Sequence, residues 1–202
     1  MKKKSFLAYP YIIWSAIFIV IPLILVVLFS FTQKIDGKQV FSIANYRDLM
    51  DINVIVVGKI KENYLRVGIE EYKKRIKPFC NLQIIEIKEI TTADSHKNLK
   101  EEAKAILNNI KKEDYVITLE ILGNSLDSVE LAKFIQNHYL YSSRVLTFVI
   151  GSSDGLDEEV KKRSDYQLSF SKLTFPHQLM RMLFLEQIYR SLTIINNQKY
   201  HK

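Results

Sequence analysis

RVLTFVIGSSDGLDEEVKKRSDYQLSFSKLTFPHQLMRMLFLEQIYRS, residues 144–191, is the stretch that decides the fold. It opens on a nearly continuous apolar run, Arg144–Ile150, as expected of a strand covered on both faces of a parallel sheet. Gly151-Ser-Ser-Asp-Gly155 then turns tightly into a short charged helix. Tyr166–Phe170 reads as the next strand, and Pro176 sits well in the first turn of a long helix through about Leu192.

Working upstream, the same alternation recurs. Asn53–Val57 is a short β-branched run closed by Gly58, and Leu65, Ile69, Tyr72 and Ile76 place a helix over about Glu62–Lys77, ended by Pro78. Leu82–Ile87 is a second strand. Leu99, Ala103, Ile106, Leu107 and Ile110 mark a second helix, and Tyr115–Leu119 a third strand. Ser128 caps a helix running to about Tyr139, with Leu131, Ala132 and Ile135 inward. Five strand–helix repeats predict one α/β domain with a mainly parallel sheet, assigned to residues 51–202.

Residues 1–50 are different in kind. From Phe6 to Phe31 no residue is charged, long enough for a transmembrane helix over about 6–31. A secretory signal would have a shorter apolar region and a small-residue cleavage site, and a buried core helix would need a polar face for water. Lys2–Lys4 before the span set the amino terminus in the cytoplasm and the rest outside. Composition changes abruptly at Met50–Asn53, and Met50 offers an alternative start. The formal net charge of +7 divides accordingly: residues 1–50 carry six basic and two acidic groups, leaving 23 basic and 20 acidic in the body. A body this mildly basic permits RNA binding without demanding it. Lys73-Lys74-Arg75 and Lys161-Lys162-Arg163 read first as solvated helix faces, and as the phosphate contacts if RNA is the ligand.

Cys80 is the only cysteine and His96, His138, His177 and His201 are scattered, which excludes a disulfide framework and argues against a metal site. Neither GxGxxG nor GxxxxGK[ST] is present, so nothing marks a dinucleotide or nucleoside triphosphate. Ligands of open α/β sheets bind at the carboxyl ends of strands, which singles out the loops after Leu119, Ile150 and Phe170. Their glycines, Gly123, Gly151 and Gly155, allow close approach or positive φ, or simply turns.

VGKIKENYL (57–65), YKKRI (72–76), VITLEILG (116–123), TFVIGSSDGL (147–156), residues 165–191 and the closing YHK resemble the RlmH family of ribosomal RNA methyltransferases, in order and spacing, over essentially all of 53–202. The resemblance implies a SPOUT fold with a C-terminal trefoil knot, and a homodimer whose active sites borrow the tail of the opposite subunit. It implies S-adenosylmethionine as cofactor, N3 of a pseudouridine in 23S ribosomal RNA as acceptor, and a substrate presented on the ribosome. The family's cofactor contacts fall on Leu119, Gly151, Phe170, Ser171, Lys172, Leu173, Thr174 and Phe175. Ser152 departs from the family, which usually has a second glycine there; its hydroxymethyl either crowds the cofactor or points to solvent. For the chemistry, His201 is assigned as proton acceptor, with Arg190 and Tyr200 supporting charge or positioning the base. Against these stand a helix-end role for Arg190, a frayed Tyr-His-Lys tail, and a structural role for His177.

Residues 8–50, through AYPYIIW, IPLILVVLFSFT and FSIANYRDLMD, resemble the start of an ABC transporter permease subunit of polyamine type. That implies a fusion of two unrelated reading frames, with the methyltransferase domain belonging to the cytoplasm and the leader directing an intact chain to the inner membrane. The competing readings are a membrane-anchored permease fragment with a passenger body, and a SPOUT enzyme acting on another RNA such as transfer RNA.

Overall fold

Ile52, Val54 and Val56 go to one face of a sheet and Ile55 and Val57 to the other, and all five are buried. From Val54 to Val57 that burial on both faces fixes a strand covered on both sides. The computed structural model describes residues 14–30, 32–35, 38–41, 49–142 and 144–200, and the chain divides into two units, Met1–Asp48 and Leu49–Lys202.

In the larger unit the elements are β1 Met50–Val57, α1 Asn63–Ile76, β2 Cys80–Ile87, α2 Ser95–Asn108, β3 Tyr115–Ser125, α3 Ser128–Tyr141, β4 Leu146–Ile150, α4 Glu158–Arg163, β5 Tyr166–Ser169 and α5 His177–Ile195. They build one sheet in the order β2-β1-β4-β3-β5, with every neighbouring pair parallel. On one face Ile69 of α1, Leu131 and Ile135 of α3, and Phe184, Leu185, Ile188 and Leu192 of α5 join the even-numbered side chains of β1. On the other, Ala103 and Ile106 of α2 and Val160 of α4 join Ile55 and Val57. Phe148 of β4 meets Phe184 at a ring separation of 4.8 Å, both fully buried. Each such side chain contributes roughly 1.5–3 kcal/mol of transfer free energy.

Three details depart from the sequence reading. The cap of α3 is Asp127 rather than Ser128: its carboxylate accepts from the amides of Val129 and Glu130, and Glu130 reaches back to the amide of Asp127. Pro176 precedes α5 as its cap residue instead of lying in the first turn. Strand β3 does not stop at Leu119. Its pairing with β5 slips, Leu119 and Asn124 both facing Leu168, so Glu120–Gly123 swing out as a bulge and return. A Cβ on Gly123 would stand 2.8 Å from the Gln167 carbonyl oxygen, so only glycine lets the returning backbone lie on β5.

In the smaller unit a π-helical turn, Ala16–Val20, leads into an α-helix, Ile21–Ser30, followed by an antiparallel pair, Thr32–Ile35 with Lys38–Phe41. Trp14, Ile17–Ile21 and Leu23–Val27 are exposed. The expected span over 6–31 falls partly on residues 6–13 and Phe31, outside the described residues. Among the described residues no helix is long and apolar enough to cross a membrane.

Candidate active site

The carboxyl ends of β3, β4 and β5 open on a cavity of about 930 Å³, closed on one side by His177 and Met180 at the start of α5. The three loops singled out from sequence are the three that line it. Leu119, Gly151, Phe170, Ser171, Leu173, Thr174 and Phe175 all face this space, and of the eight expected cofactor contacts only Lys172 does not. The walls are held from behind. Phe170 stacks on buried Phe184 at 6.0 Å, Ser169 Oγ donates to the Ile121 carbonyl at 2.9 Å, and the Leu173 amide donates to Ser171 Oγ at 3.0 Å. Leu122 and Leu173 of the lining are 93% and 70% exposed.

Gly151 is where the loop after β4 closes on itself. A Cβ there would run into the Gly155 carbonyl oxygen, with the Gly155 carbonyl carbon at 2.7 Å. Gly155 has φ +91°, which lets its amide donate back to the Ser152 carbonyl at 3.1 Å. Ser152 lines the cavity, and its Oγ donates to Glu102 Oε2 at 2.9 Å, while Glu102 Oε1 accepts from the Ile90 amide at 2.9 Å. The departure from glycine ties the loop to α2.

Glu120, in the bulge of β3, also lines the cavity and was not singled out from sequence. Its Oε1 is sealed from solvent and takes no hydrogen bond. Burial raises its pKa above the ordinary carboxylate range, with Lys161 opposing and Glu158 reinforcing the shift. The only available signal was a carboxylate directly after an apolar strand.

Arg190 and Tyr200 belong to a second cluster. Asn197, with φ 53°, reverses the chain after α5, and the Gln198 amide donates to the Thr193 carbonyl at 2.8 Å. Tyr200 thereby folds back edge-on to Tyr189, at 4.8 Å between rings, and donates to Glu186 Oε1 at 3.1 Å. Arg190 lies over the Tyr200 ring at 4.9 Å and bonds the same Glu186 oxygen. The tail to Tyr200 is docked, not frayed, and Glu186, its common anchor, was missed from sequence. Burial, with hydrogen bonds to Tyr72 and Glu186, pushes the Tyr200 phenol up to about 12, and the Glu186 bond raises Arg190. His201 lies outside the described residues.

Ten residues of helix separate Met180 at the cavity from Arg190, roughly 15 Å along the axis. A single chain therefore does not bring the two expected halves of the site together. Of the basic runs, Lys73 pairs with Glu70 at 2.7 Å, Arg75 with Glu71 at 2.8 Å, and Lys161 with Glu158 at 3.0 Å. Arg163 is structural: it donates to the carbonyls of Lys111, Lys112 and Asp114 and pairs with Asp165.

Residues 50–201 match the family described as predicted SPOUT methyltransferase. The chain belongs to the SPOUT methyltransferase family. Among similar proteins, the ribosomal RNA large subunit methyltransferase H of Finegoldia magna is 52% identical over 159 residues, 76% of this chain and 100% of the relative. The putative ribosomal RNA large subunit methyltransferase H of Methanococcus vannielii is 50% identical, and that of Carboxydothermus hydrogenoformans, so named without the qualifier, 45%, with the same coverage.

Proposed function

We propose that this chain methylates N3 of a pseudouridine in 23S ribosomal RNA, on the ribosome, with S-adenosylmethionine as methyl donor. What carries the reading is the gathering of Leu119, Gly151 and the 170–175 segment, Lys172 apart, around one cavity at the carboxyl ends of three parallel strands. The residues present suit the cofactor. Apolar walls fit a nucleoside, the backbone at Gly151 is bare, and the unmet oxygen of Glu120 awaits a donor or a cation. When bound, the sulfonium supplies an electrophilic methyl group for in-line transfer.

The chain's own residues have the remaining work: holding the base and removing the N3 proton. Tyr200, pushed up to about 12, stays a phenol at neutral pH and donates; Arg190, raised by Glu186, stays a cation. Both suit the negative charge that spreads onto the flanking carbonyls as N3 loses its proton. His201 is the proton acceptor in this scheme.

The separation of cavity and tail along α5 supports a homodimer in which the tail of one subunit completes the cavity of the other, on a C-terminal segment threaded as a trefoil knot. The leader is read as permease-derived, the family match beginning at residue 50 and the unit boundary falling at Asp48–Leu49. The body then works in the cytoplasm, and its chemistry owes the leader nothing.

Mixing two inactive variants tests the composite site. Gly151→Val, with a blocked cavity, and Tyr200→Ala, with a stripped tail, are each expected to lose methylation of pseudouridine-containing ribosomes. Co-expressed in equal amounts they form mixed dimers with one intact site, regaining roughly a quarter of wild-type sites. No recovery from folded, mixed dimers refutes the shared site.

A further inference from the structure

Glu120 is a charged group of the cavity with one carboxylate oxygen that takes no hydrogen bond among the described residues. The neighbouring cation that could answer it, Lys161, gives its ammonium to Glu158 at 3.0 Å. The remaining cavity cation, Lys162, is exposed at the rim, and His177 stands across the cavity on α5. One Glu120 oxygen is thus desolvated with neither a hydrogen bond nor an ion pair among the described residues, an arrangement that disfavours the charged carboxylate. The bulge that presents it is pinned on both sides: Gly123 lies against Gln167, and the Ile121 carbonyl accepts from Ser169.

We propose that Glu120 is a cofactor-contacting residue whose negative charge makes the cavity prefer a cationic nucleoside to its neutral counterpart, favouring the sulfonium donor over the thioether left after transfer. This rests on the function proposed above. A carboxylate with one oxygen sealed from water acts on a nearby cation through a lower effective dielectric than a fully exposed one, so a charge on the ligand changes its affinity more. The neutral thioether gains nothing from this interaction, and exchange of product for fresh donor is favoured without any conformational step. The raised pKa of the free carboxyl agrees: an arriving cation stabilises the ionised form that burial disfavours.

Titration calorimetry on the full chain, with S-adenosylmethionine and S-adenosylhomocysteine as separate ligands, decides it. Glu120→Gln keeps the size and an accepting oxygen but removes the charge. It is expected to weaken S-adenosylmethionine by about tenfold while leaving S-adenosylhomocysteine within about twofold, so the preference collapses. Glu120→Asp, which keeps the charge, is expected to retain most of the preference, and this separates charge from general damage to the bulge. Equal weakening of both ligands by Glu120→Gln, or no change in either, overturns the assignment while leaving the function standing. If the wild-type chain binds neither ligand, the proposed function falls first and this inference with it.

Discussion

Replacing Gly151 by alanine adds one carbon at the tightest point of the cavity wall. That carbon would overlap the Gly155 carbonyl oxygen, stand 2.7 Å from the Gly155 carbonyl carbon and 3.0 Å from Leu156 Cγ. Leu156 is buried and Gly155 is backbone, so neither yields as the end of a flexible side chain would. The loop must open, breaking the Gly155–Ser152 turn, at a cost of about 1–3 kcal/mol typical of overpacking. Because Gly151 and Gly155 both line the cavity, the same opening is expected to lower S-adenosylmethionine affinity by roughly 10–100-fold. Gly155→Ala is the control. A Cβ there meets nothing within 4 Å, and only the left-handed φ penalises it, by about 1–2 kcal/mol. Calorimetry and thermal melting of both variants give the comparison, each kcal/mol lowering the midpoint by about 2–4 °C. If Gly151→Ala binds within twofold of wild type and melts with it, close backbone approach is not why glycine stands there.

Asp165 gives a pH-dependent test. Its burial would raise the carboxyl, but the Val116 amide at 2.9 Å, the Arg144 bond at 2.9 Å and the charges of Arg144 and Arg163 outweigh that and hold it below its usual range. A depressed folded pKa stabilises above the unfolded value and is lost as pH falls through the folded one. Asp165→Asn is thus expected to cost about 1–3 kcal/mol in urea unfolding at pH 7, the gap to wild type closing below about pH 4; a gap independent of pH contradicts the ion-pair account. Residues 50–202 expressed without the leader are expected to be soluble and to bind S-adenosylmethionine, and a folded fragment giving no heat of binding would sink that expectation. The intact chain, with its exposed apolar side chains from Trp14 to Val27, is expected to resist carbonate extraction from membranes. Its quantitative release would remove the membrane reading of the leader.

The strands were legible because their apolar runs are bounded by glycine, proline and polar loops, and the cavity because loops at strand ends are where such sheets bind. Asp127 was legible in principle, since it and not Ser128 lies three residues before Glu130. The extension of β3 was hidden by Gly123, Asn124 and Ser125, which read as a loop and instead make a bulge and its return. Ser152 could not be placed from sequence because its partner Glu102 is fifty residues away. Nor could Glu186, whose role depends on the chain reversing at Asn197. In the leader the apolar length is countable from sequence, but the α-helix among the described residues covers only Ile21–Ser30.

Ribosomes carrying pseudouridine but lacking N3 methylation, incubated with the full chain and S-adenosylmethionine, test the methyl transfer itself. Mass spectrometry of nuclease-digested 23S RNA should find one new methyl group, on N3 of a pseudouridine, and none on free 23S RNA treated alike. A methyl group appearing instead on transfer RNA or on another base, or none from a chain shown to bind the cofactor, would contradict the account.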